Sequence, residues 1–185
     1  MAAGHIEVIC GPMFSGKTEE LIRRLRRAQI ARQRVVVFKP RIDDRYDAND
    51  IVSHSSQRLQ SIPIEHASEI EPHVRRGEPH VIGVDEAQFF KDELVDVCER
   101  VADAGTRVLV AGLDLDYLGR PFGPIPSLLA TAEFITKQLA VCMVCGAPAA
   151  RSQRVSRHLG GVSEDQVLVG ATDSYEARCR RCFVR

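Results

Sequence analysis

The sequence predicts an α/β protein in which a parallel β-sheet is covered by helices on both faces and is followed by a small metal-binding module. Three observations support this prediction. Short apolar segments alternate with segments of helical periodicity over residues 6–139, which is typical of a parallel sheet. Residues 11–18 fit the pattern of a phosphate-binding loop, and two Cys-x-x-Cys pairs lie near the end of the chain.

The predicted elements follow one another in a regular order. Strands are expected at the β-branched or apolar runs, and helices where apolar side chains recur every three to four residues. The strands are predicted at 6–10, 35–38, 62–64, 80–84, 107–111 and 134–139, and the helices at 17–31, 67–76, 92–104 and 126–132. The polar segment 40–61, which has the composition of a mobile loop over an active site, and the Gly- and Pro-rich segment 112–126 are expected to be loops.

The pattern changes after Val141, where cysteines and glycines replace large apolar residues. We therefore place a domain boundary near Ala140, which divides the chain into an α/β domain (1–140) and a metal-binding domain (141–185).

Composition and charge exclude several classes of protein. Hydrophobic residues make up 44% of the chain, which is enough to bury a sizeable core. The 25 basic and 25 acidic side chains cancel, which argues against a protein whose main task is to bind nucleic acid. The arginine-rich segment 23–34 is interpreted as a solvated helix face or a subunit contact, with a nucleic-acid patch as the minor alternative.

Cellular location is inferred from what the chain lacks. No apolar run approaches the roughly 18 residues of a membrane helix, and the N-terminal segment does not resemble a signal peptide. We expect a cytoplasmic protein with no membrane partner and no nucleic-acid partner. Six cysteines in such a chain indicate metal ligands or free thiols rather than disulfides. Cys10 and Cys98 lie in apolar segments and are expected to be buried thiols.

The phosphate-binding loop has the form Gly-x-x-x-x-Gly-Lys-Thr, between a predicted strand and a predicted helix. Its glycines let backbone N–H groups surround phosphate oxygens, and the helix directs its positive end at the same group. Lys17 provides a cation for the β- and γ-phosphates, and the Thr18 hydroxyl can bind Mg²⁺. The predicted phosphate site comprises Gly11, Pro12, Met13, Phe14, Ser15, Gly16, Lys17 and Thr18.

An acidic pair, Asp85 and Glu86, follows the fourth predicted strand. An aspartate at this position holds magnesium in phosphate-loop enzymes. A glutamate beside the γ-phosphate can orient the attacking oxygen and accept its proton. The residues alone leave open whether that oxygen belongs to water, as in an ATPase, or to a substrate hydroxyl, as in a small-molecule kinase.

The two Cys-x-x-Cys pairs predict a structural zinc site. Two-residue spacing lets both sulfurs of a pair face one ion, and two pairs complete a tetrahedral site with no position left for catalysis. A redox role for one Cys-x-x-Cys pair would not explain the presence of the second pair. The predicted zinc ligands are Cys142, Cys145, Cys179 and Cys182.

Four motifs in this order and spacing resemble one family. They are the phosphate loop at 11–18, Asp-Glu-Ala-Gln-Phe at 85–89, Gly-Leu-Asp at 112–114 with Pro-Phe-Gly at 121–123, and the two cysteine pairs enclosing Gly170 and Tyr175. Over nearly the whole chain they resemble the zinc-containing (type II) thymidine kinases. The resemblance implies a RecA-like phosphate-loop core and a small C-terminal zinc-binding domain whose lasso loop covers the substrate.

The resemblance also implies an activity and its partners. It implies that ATP phosphorylates the 5′-hydroxyl of thymidine, that deoxyuridine is also accepted, that dTTP inhibits as the end product, and that the enzyme is a homotetramer. Glu86 becomes the general base. Asp43, Arg45, Asp85 and Gln88 join the phosphate loop in the ATP and magnesium site. The nucleoside site is formed by Met13, Phe89, Leu113, Tyr117, Phe122, the lasso residues Gln166, Val167, Leu168, Val169 and Gly170, and Tyr175.

Three alternatives remain open at this point, the nearest of which is a kinase that acts on another nucleoside. A RecA-like ATPase that depends on nucleic acid, or a zinc-ribbon nucleic-acid-binding protein, would combine a similar core with four cysteines. A non-enzymatic nucleotide-binding regulator would keep the phosphate loop, although Glu86 argues against it.

Overall fold

The computed structural model describes residues 4–41, 50–52, 58–155 and 174–184. The strands are β1 (His5–Cys10), β2 (Val35–Pro40), β3 (Asp50–Val52), β4 (Arg58–Gln60), β5 (Ile62–Ile64), β6 (Val81–Val84), β7 (Arg107–Gly112), β8 (Phe134–Lys137), β9 (Ala140–Val141), β10 (Pro148–Ala149), β11 (Arg151–Arg154) and β12 (Tyr175–Arg178). The helices are α1 (Lys17–Ile30), α2 (Ile70–Gly77), α3 (Glu93–Asp103) and α4 (Ile125–Thr131), with short 3₁₀ helices at Ala67–Glu69 and Ala87–Phe89.

Within the described residues, six strands form one parallel sheet in the order β5-β2-β6-β7-β1-β8. The chain crosses between most of these strands through helices, as is usual for parallel pairing, whereas β3 and β4 lie between the parallel neighbours β2 and β5. Because all six strands run in the same direction, their carboxyl ends meet at one edge of the sheet. The segments that follow β1, β6 and β7 at that edge contain the phosphate loop, the acidic pair and the Gly-Leu-Asp motif.

The sheet buries apolar side chains on both faces, as the sequence predicts. On one face, Leu21, Ile22 and Leu25 of α1 pack against alternate residues of the strands, including Ile9 and Leu109. The opposite face of the same strands packs against α2, α3 and α4 through a larger cluster. Successive residues of a strand therefore pack into clusters on opposite faces of the sheet, which is why the strands have continuous apolar sequences.

Two sequence expectations are corrected by the structure. The segment 40–61 is predicted as a loop, but β3 and β4 form an antiparallel pair within it, a short polar pairing that hydrophobic periodicity does not reveal. The final strand is also shorter than predicted. Since β8 lies at the edge of the sheet, Phe134 and Ile135 remain more than half exposed.

The residues after β8 build a smaller structure of paired short strands. Strand β9 pairs with β10, and β11 pairs with β12, both antiparallel. Between them lies a separate buried cluster that includes Ala140, Ala149, Ala177 and the sulfur-bearing residues Cys142 and Cys179. A core this small leaves the four cysteines as the main source of stability for this part of the chain.

The remaining polar features of the sequence have structural roles. Arg24 of the arginine-rich helix α1 forms ion pairs with Glu7 and Glu20, at 2.8 and 2.7 Å.

Cys98 is buried, as expected, and burial raises the pKa of its thiol to about 12. Among the described residues, no helix combines the length and apolarity needed to cross a membrane.

Candidate active site

The phosphate loop joins the end of β1 to the start of α1. Its glycines are required where they stand: Gly11 has a φ of 144° and Gly16 a φ of 81°, both disfavoured by other residues. A β-carbon on Gly11 would lie 2.3 Å from the carbonyl oxygen of Gln138. The Ser15 hydroxyl donates to the Pro12 carbonyl at 2.8 Å, which closes the loop upon itself. The result is a backbone cradle at a helix N-terminus, the arrangement that binds phosphate.

Lys17 and Thr18 open helix α1 and face the carboxyl edge of the sheet. The Lys17 ammonium donates to the Pro12 carbonyl at 2.8 Å, so the side chain folds back over its own loop. The Thr18 hydroxyl donates to Asp85 Oδ1 at 3.3 Å. A hydroxyl and a carboxylate at this separation are the donor set that phosphate-loop enzymes use for Mg²⁺. The structure thus brings together the two residues that the sequence separately assigns to magnesium, and that assignment stays a prediction.

Glu86, the predicted base, occupies an unusual backbone conformation. Its φ of 49° and ψ of 39° place it in the left-handed region, which is costly for a residue with a side chain. It immediately follows the buried Asp85 at the end of β6, and its carboxylate accepts a hydrogen bond from Gln88 Nε2 at 2.5 Å. A strained, hydrogen-bonded glutamate at the phosphate-binding edge is a candidate catalytic group.

Gln88 is more enclosed than the sequence suggests. It is 2% exposed, and its Oε1 atom accepts the Leu113 backbone N–H at 2.9 Å. Two glycines make room for it, because a β-carbon would lie 2.9 Å from Oε1 at Gly112 and 2.4 Å from the Gln88 carbonyl at Gly123. The sequence groups Gln88 with ATP and magnesium, whereas these contacts join it to Glu86 and to the end of β7.

The predicted nucleoside residues lie on neighbouring segments. The rings of Phe89 and Phe122 meet edge to face, with centroids 6.0 Å apart. Tyr117 lies beneath the guanidinium of Arg154, 5.6 Å from its ring centre, and Tyr175 is buried on β12, directly opposite Arg154. Tyr117 thus contacts a C-terminal strand, β11, through Arg154, while the assignment of these residues to a nucleoside site stays a prediction.

Part of the predicted site falls outside the described residues. This holds for Asp43 and Arg45 of the ATP site and for the lasso residues Gln166, Val167, Leu168, Val169 and Gly170. Their assignments stay predictions.

The four predicted zinc ligands come together. Their Sγ atoms all lie within 4.8 Å of one another, and Cys145 Sγ is 3.7 Å from Cys179 Sγ and 3.6 Å from Cys182 Sγ. A tetrahedron of sulfurs at the usual Zn–S distance has edges of about 3.8 Å, so the cluster fits a zinc ion. A hydrogen bond from the Cys182 backbone N–H lowers the pKa of the Cys179 thiol, whereas hydrogen bonds with the Cys145 and Cys179 side chains raise the pKa of the Cys182 thiol to about 12.

Sequence reasoning missed one contact of the phosphate loop and one ion pair at the carboxyl edge of the sheet. The Met13 backbone N–H donates to Ser152 Oγ at 2.9 Å, which joins the loop to β11. At the neighbouring strand ends, Lys137 Nζ lies 2.6 Å from Oδ2 of the buried Asp114. Lys137 is a charged residue within a predicted strand, a signal that would have pointed to it, whereas nothing in the sequence distinguishes Ser152 from other serines.

Comparison with known proteins decides among the remaining alternatives. A family model described as thymidine kinase matches residues 4–183. A thymidine kinase from Rhodothermus sp. (strain ITI 518) is 57% identical over 182 residues, which cover 98% of this chain and 82% of that protein. The chain belongs to the thymidine kinase family.

Membership of the thymidine kinase family confirms the resemblance drawn from the four motifs. The protein is a kinase, a phosphotransferase rather than a nucleic-acid-binding ATPase. Its parallel six-stranded sheet, among the described residues, is the RecA-like core expected of thymidine kinases, and the cysteine cluster lies in the C-terminal part.

Proposed function

We propose that this chain transfers the γ-phosphate of ATP to the 5′-hydroxyl of thymidine, giving dTMP and ADP, with Glu86 as the general base. The observation that carries the proposal is the position of Glu86, directly after Asp85, whose carboxylate is hydrogen-bonded to Thr18 of the phosphate loop. The substrate itself is supported by membership of the thymidine kinase family. The reaction supplies dTMP for DNA synthesis by nucleoside salvage.

The chemical step follows from these positions. Glu86 accepts the proton of the 5′-hydroxyl while the hydroxyl oxygen forms a bond to the γ-phosphorus. The bond from the γ-phosphorus to the β,γ-bridging oxygen breaks, and ADP leaves with that electron pair. Lys17 and the backbone N–H groups of the loop neutralise the charge that develops. Arg45, with Asp43, is proposed to contribute at the same phosphates.

Thr18 and Asp85 are the residues proposed to hold Mg²⁺. Their oxygen atoms lie 3.3 Å apart, and both belong to the hard oxygen donors that this ion prefers. When bound, the ion offsets phosphate charge. The same hydrogen bond from Thr18 to Asp85 orders the start of α1 against the end of β6.

Thymidine is proposed to lie between the aromatic wall and the lasso. Met13, Phe89, Leu113, Tyr117, Phe122 and Tyr175 form the wall, and residues 166–170 offer backbone groups to the pyrimidine edge. Thymine presents acceptor, donor and acceptor groups that main-chain N–H and C=O can complement. A pocket for the 5-methyl group adds only about 1–3 kcal/mol of discrimination, so deoxyuridine is also expected to react. The product-derived nucleotide dTTP is proposed to inhibit by occupying both the nucleoside and phosphate sites.

The C-terminal part is proposed to be a zinc-binding domain that begins near Ala140. Its separate buried cluster and its four clustered sulfurs support this division. A homotetramer is proposed from the family resemblance. The exposed Phe134 and Ile135 of the edge strand β8 support burial of that edge against another copy, and a molar mass of about four chains by light scattering would test it. A cytoplasmic location is likewise proposed.

A nucleoside panel tests the proposed activity. The protein is mixed with ATP and Mg²⁺ and with thymidine, deoxyuridine, deoxycytidine or deoxyadenosine, and ADP release is followed. Thymidine is expected to be the best substrate, with deoxyuridine also turned over. Glu86→Gln is expected to lower kcat by about 10²–10⁴-fold. A Glu86→Gln enzyme with nearly unchanged kcat would refute the base assignment, and turnover of other nucleosides alone would refute the substrate.

A further inference from the structure

The Gln88 side chain is fixed in one orientation by its surroundings. An amide oxygen and nitrogen are hard to distinguish, and their assignment rests on their partners. Here the Leu113 backbone N–H, a donor, faces Oε1 at 2.9 Å. The oxygen must therefore point to Leu113, and the Nε2 donor must point to the Glu86 carboxylate.

The position of Gln88 is as constrained as its orientation. It is 2% exposed and is enclosed by Gly112 and Gly123, at which even a β-carbon would approach Gln88 to within 2.9 and 2.4 Å. A buried side chain whose oxygen and nitrogen are both hydrogen-bonded can adopt another rotamer only at a cost in free energy. Whatever Gln88 binds is therefore held in a defined place.

Glu86 needs such support because it cannot be fixed by regular structure. Its backbone is in the left-handed region, at the turn between β6 and the short 3₁₀ helix. A glutamate side chain has several rotatable bonds, and its freedom opposes catalysis unless something orders it. The Gln88 amide donates to one oxygen of the carboxylate, which has about four acceptor positions in all, so the contact orders the group without using up its capacity to accept a proton.

We propose that Gln88 is a positioning residue for the base, an inference that rests on the proposed role of Glu86. Its amide holds the Glu86 carboxylate at a fixed position relative to the Leu113 backbone. Leu113 also belongs to the proposed nucleoside wall, so the base and the surface that orients the 5′-hydroxyl are joined by one buried side chain. The distance between the base and the hydroxyl is thereby set by the protein rather than by side-chain motion.

A double-mutant cycle tests this role. Gln88→Met keeps the length of the side chain and removes both hydrogen bonds. The wild type, Gln88→Met, Glu86→Gln and the double variant are compared for kcat, for the KM of ATP and for the melting temperature. Gln88→Met is expected to lower kcat by about 10–100-fold, since small misplacements of reacting groups cost this much, with the KM of ATP changed by less than about twofold. In the Glu86→Gln background the same substitution is expected to change kcat by less than about twofold.

A matched control removes a similar hydrogen bond elsewhere. Gln153 on β11 also accepts a backbone N–H, that of Val184, at 2.7 Å. Gln153→Met is expected to leave kcat unchanged. If Gln88→Met does not fold, Gln88→Glu replaces it, because a carboxylate still accepts from Leu113 N–H but repels Glu86 instead of donating to it. This variant is expected to lower kcat to a similar degree.

The outcomes separate the two proposals. An additive loss in the double variant, or a fall in melting temperature with unchanged kcat, overturns the positioning role while Glu86 remains the base. A Glu86→Gln enzyme with undiminished kcat overturns the base assignment itself, and the positioning role with it.

Discussion

The backbone N–H of Met13 donates a hydrogen bond to the Oγ atom of Ser152 at 2.9 Å, across 139 residues of sequence. Met13 belongs to the phosphate loop, and Ser152 belongs to β11 in the C-terminal part, where it is 3% exposed. The loop that binds phosphate and the part that contains the cysteine cluster are therefore in direct contact.

Ser152→Ala is expected to weaken ATP binding. The substitution leaves the half-buried Met13 N–H without its acceptor, and loss of such a hydrogen bond costs about 1 kcal/mol. We expect the KM of ATP to rise about threefold or more, measured under saturating thymidine. Ser127→Ala, an exposed serine on α4, is the control and should match the wild type. A lower melting temperature with an unchanged KM would mean that the contact supports only the fold.

Loss of one zinc ligand is expected to affect the active site as well as the C-terminal part. Cys145→Ser should reduce bound zinc well below one ion per chain by elemental analysis. It should lower the melting temperature by about 10 °C or more, because structural zinc supplies folding free energy. Activity should fall in parallel, since β11 loses its support and Ser152 lies on it.

The control for the zinc experiment is a substitution at Met143, which lies between Cys142 and Cys145. Met143 is 69% exposed, and Met143→Ala should leave zinc content and activity unchanged. Full activity of a zinc-free Cys145→Ser protein would contradict the proposed link.

Gly123→Ala is expected to be strongly destabilising. Gly123 has a φ of 51°, and a β-carbon would lie 2.4 Å from the Gln88 carbonyl oxygen. Backbone strain at residue 123 and displacement of the Gln88 backbone should together lower the free energy of unfolding by about 1–3 kcal/mol. The change is measured from the midpoint of urea denaturation. Gly77→Ala is the matched control, because no atom lies within 4 Å of its β-carbon position. Equal midpoints for the two variants would show that the Gln88 segment yields to the added group.

Glu7 on β1 is expected to give the protein an acid-sensitive component of stability. Burial alone would raise the pKa of Glu7, but hydrogen bonds from Arg107, His5 and Arg24 outweigh it and hold the pKa below its ordinary value of 4.5. Folding thus favours the ionised carboxylate. Its contribution is fully present above pH 4.5 and is lost as the pH falls through the lowered folded-state pKa.

Glu7→Gln measures this component. At pH 7 the variant should lose about 1–3 kcal/mol of unfolding free energy, the usual value for charge-assisted hydrogen bonds. The difference from the wild type should shrink as the pH is lowered below the ordinary pKa. Glu71→Gln removes the partner of the exposed Arg100 and should cost no more than about 1 kcal/mol. A Glu7→Gln deficit that is independent of pH would contradict the ionic origin.

The strand-turn-helix units could be predicted from the sequence alone because the signals for them lie in neighbouring residues. Gly11 and Gly16 end one element and begin another, and the apolar runs on either side have distinct periods. The same holds for Cys142 and Cys179, each of which has its partner three positions away. Local spacing therefore located the phosphate loop, the acidic pair and the cysteine cluster.

The contacts that organise the site were not predictable in this way. Ser152 and Met13 are 139 positions apart in the sequence, and no local pattern indicates their contact. The Leu113 N–H donates to Gln88 because β7 lies next to β6 in the sheet. That contact depends on strand order, which hydrophobic patterns do not specify. The ion pair of Asp114 and Lys137 has the same origin, since β1 lies between β7 and β8.

The pairing of β11 with β12 has a consequence for how this protein can change. Arg154 and Tyr175 face each other across the pair, so the ends of the intervening segment are neighbours whatever its length. The entropy of closing a loop grows only by about 0.6 kcal/mol for each doubling of its length. Insertions between these two residues should therefore leave the rest of the molecule folded, whereas insertions near residues 166–170 should impair thymidine binding, which separates the stability of this protein from its proposed specificity.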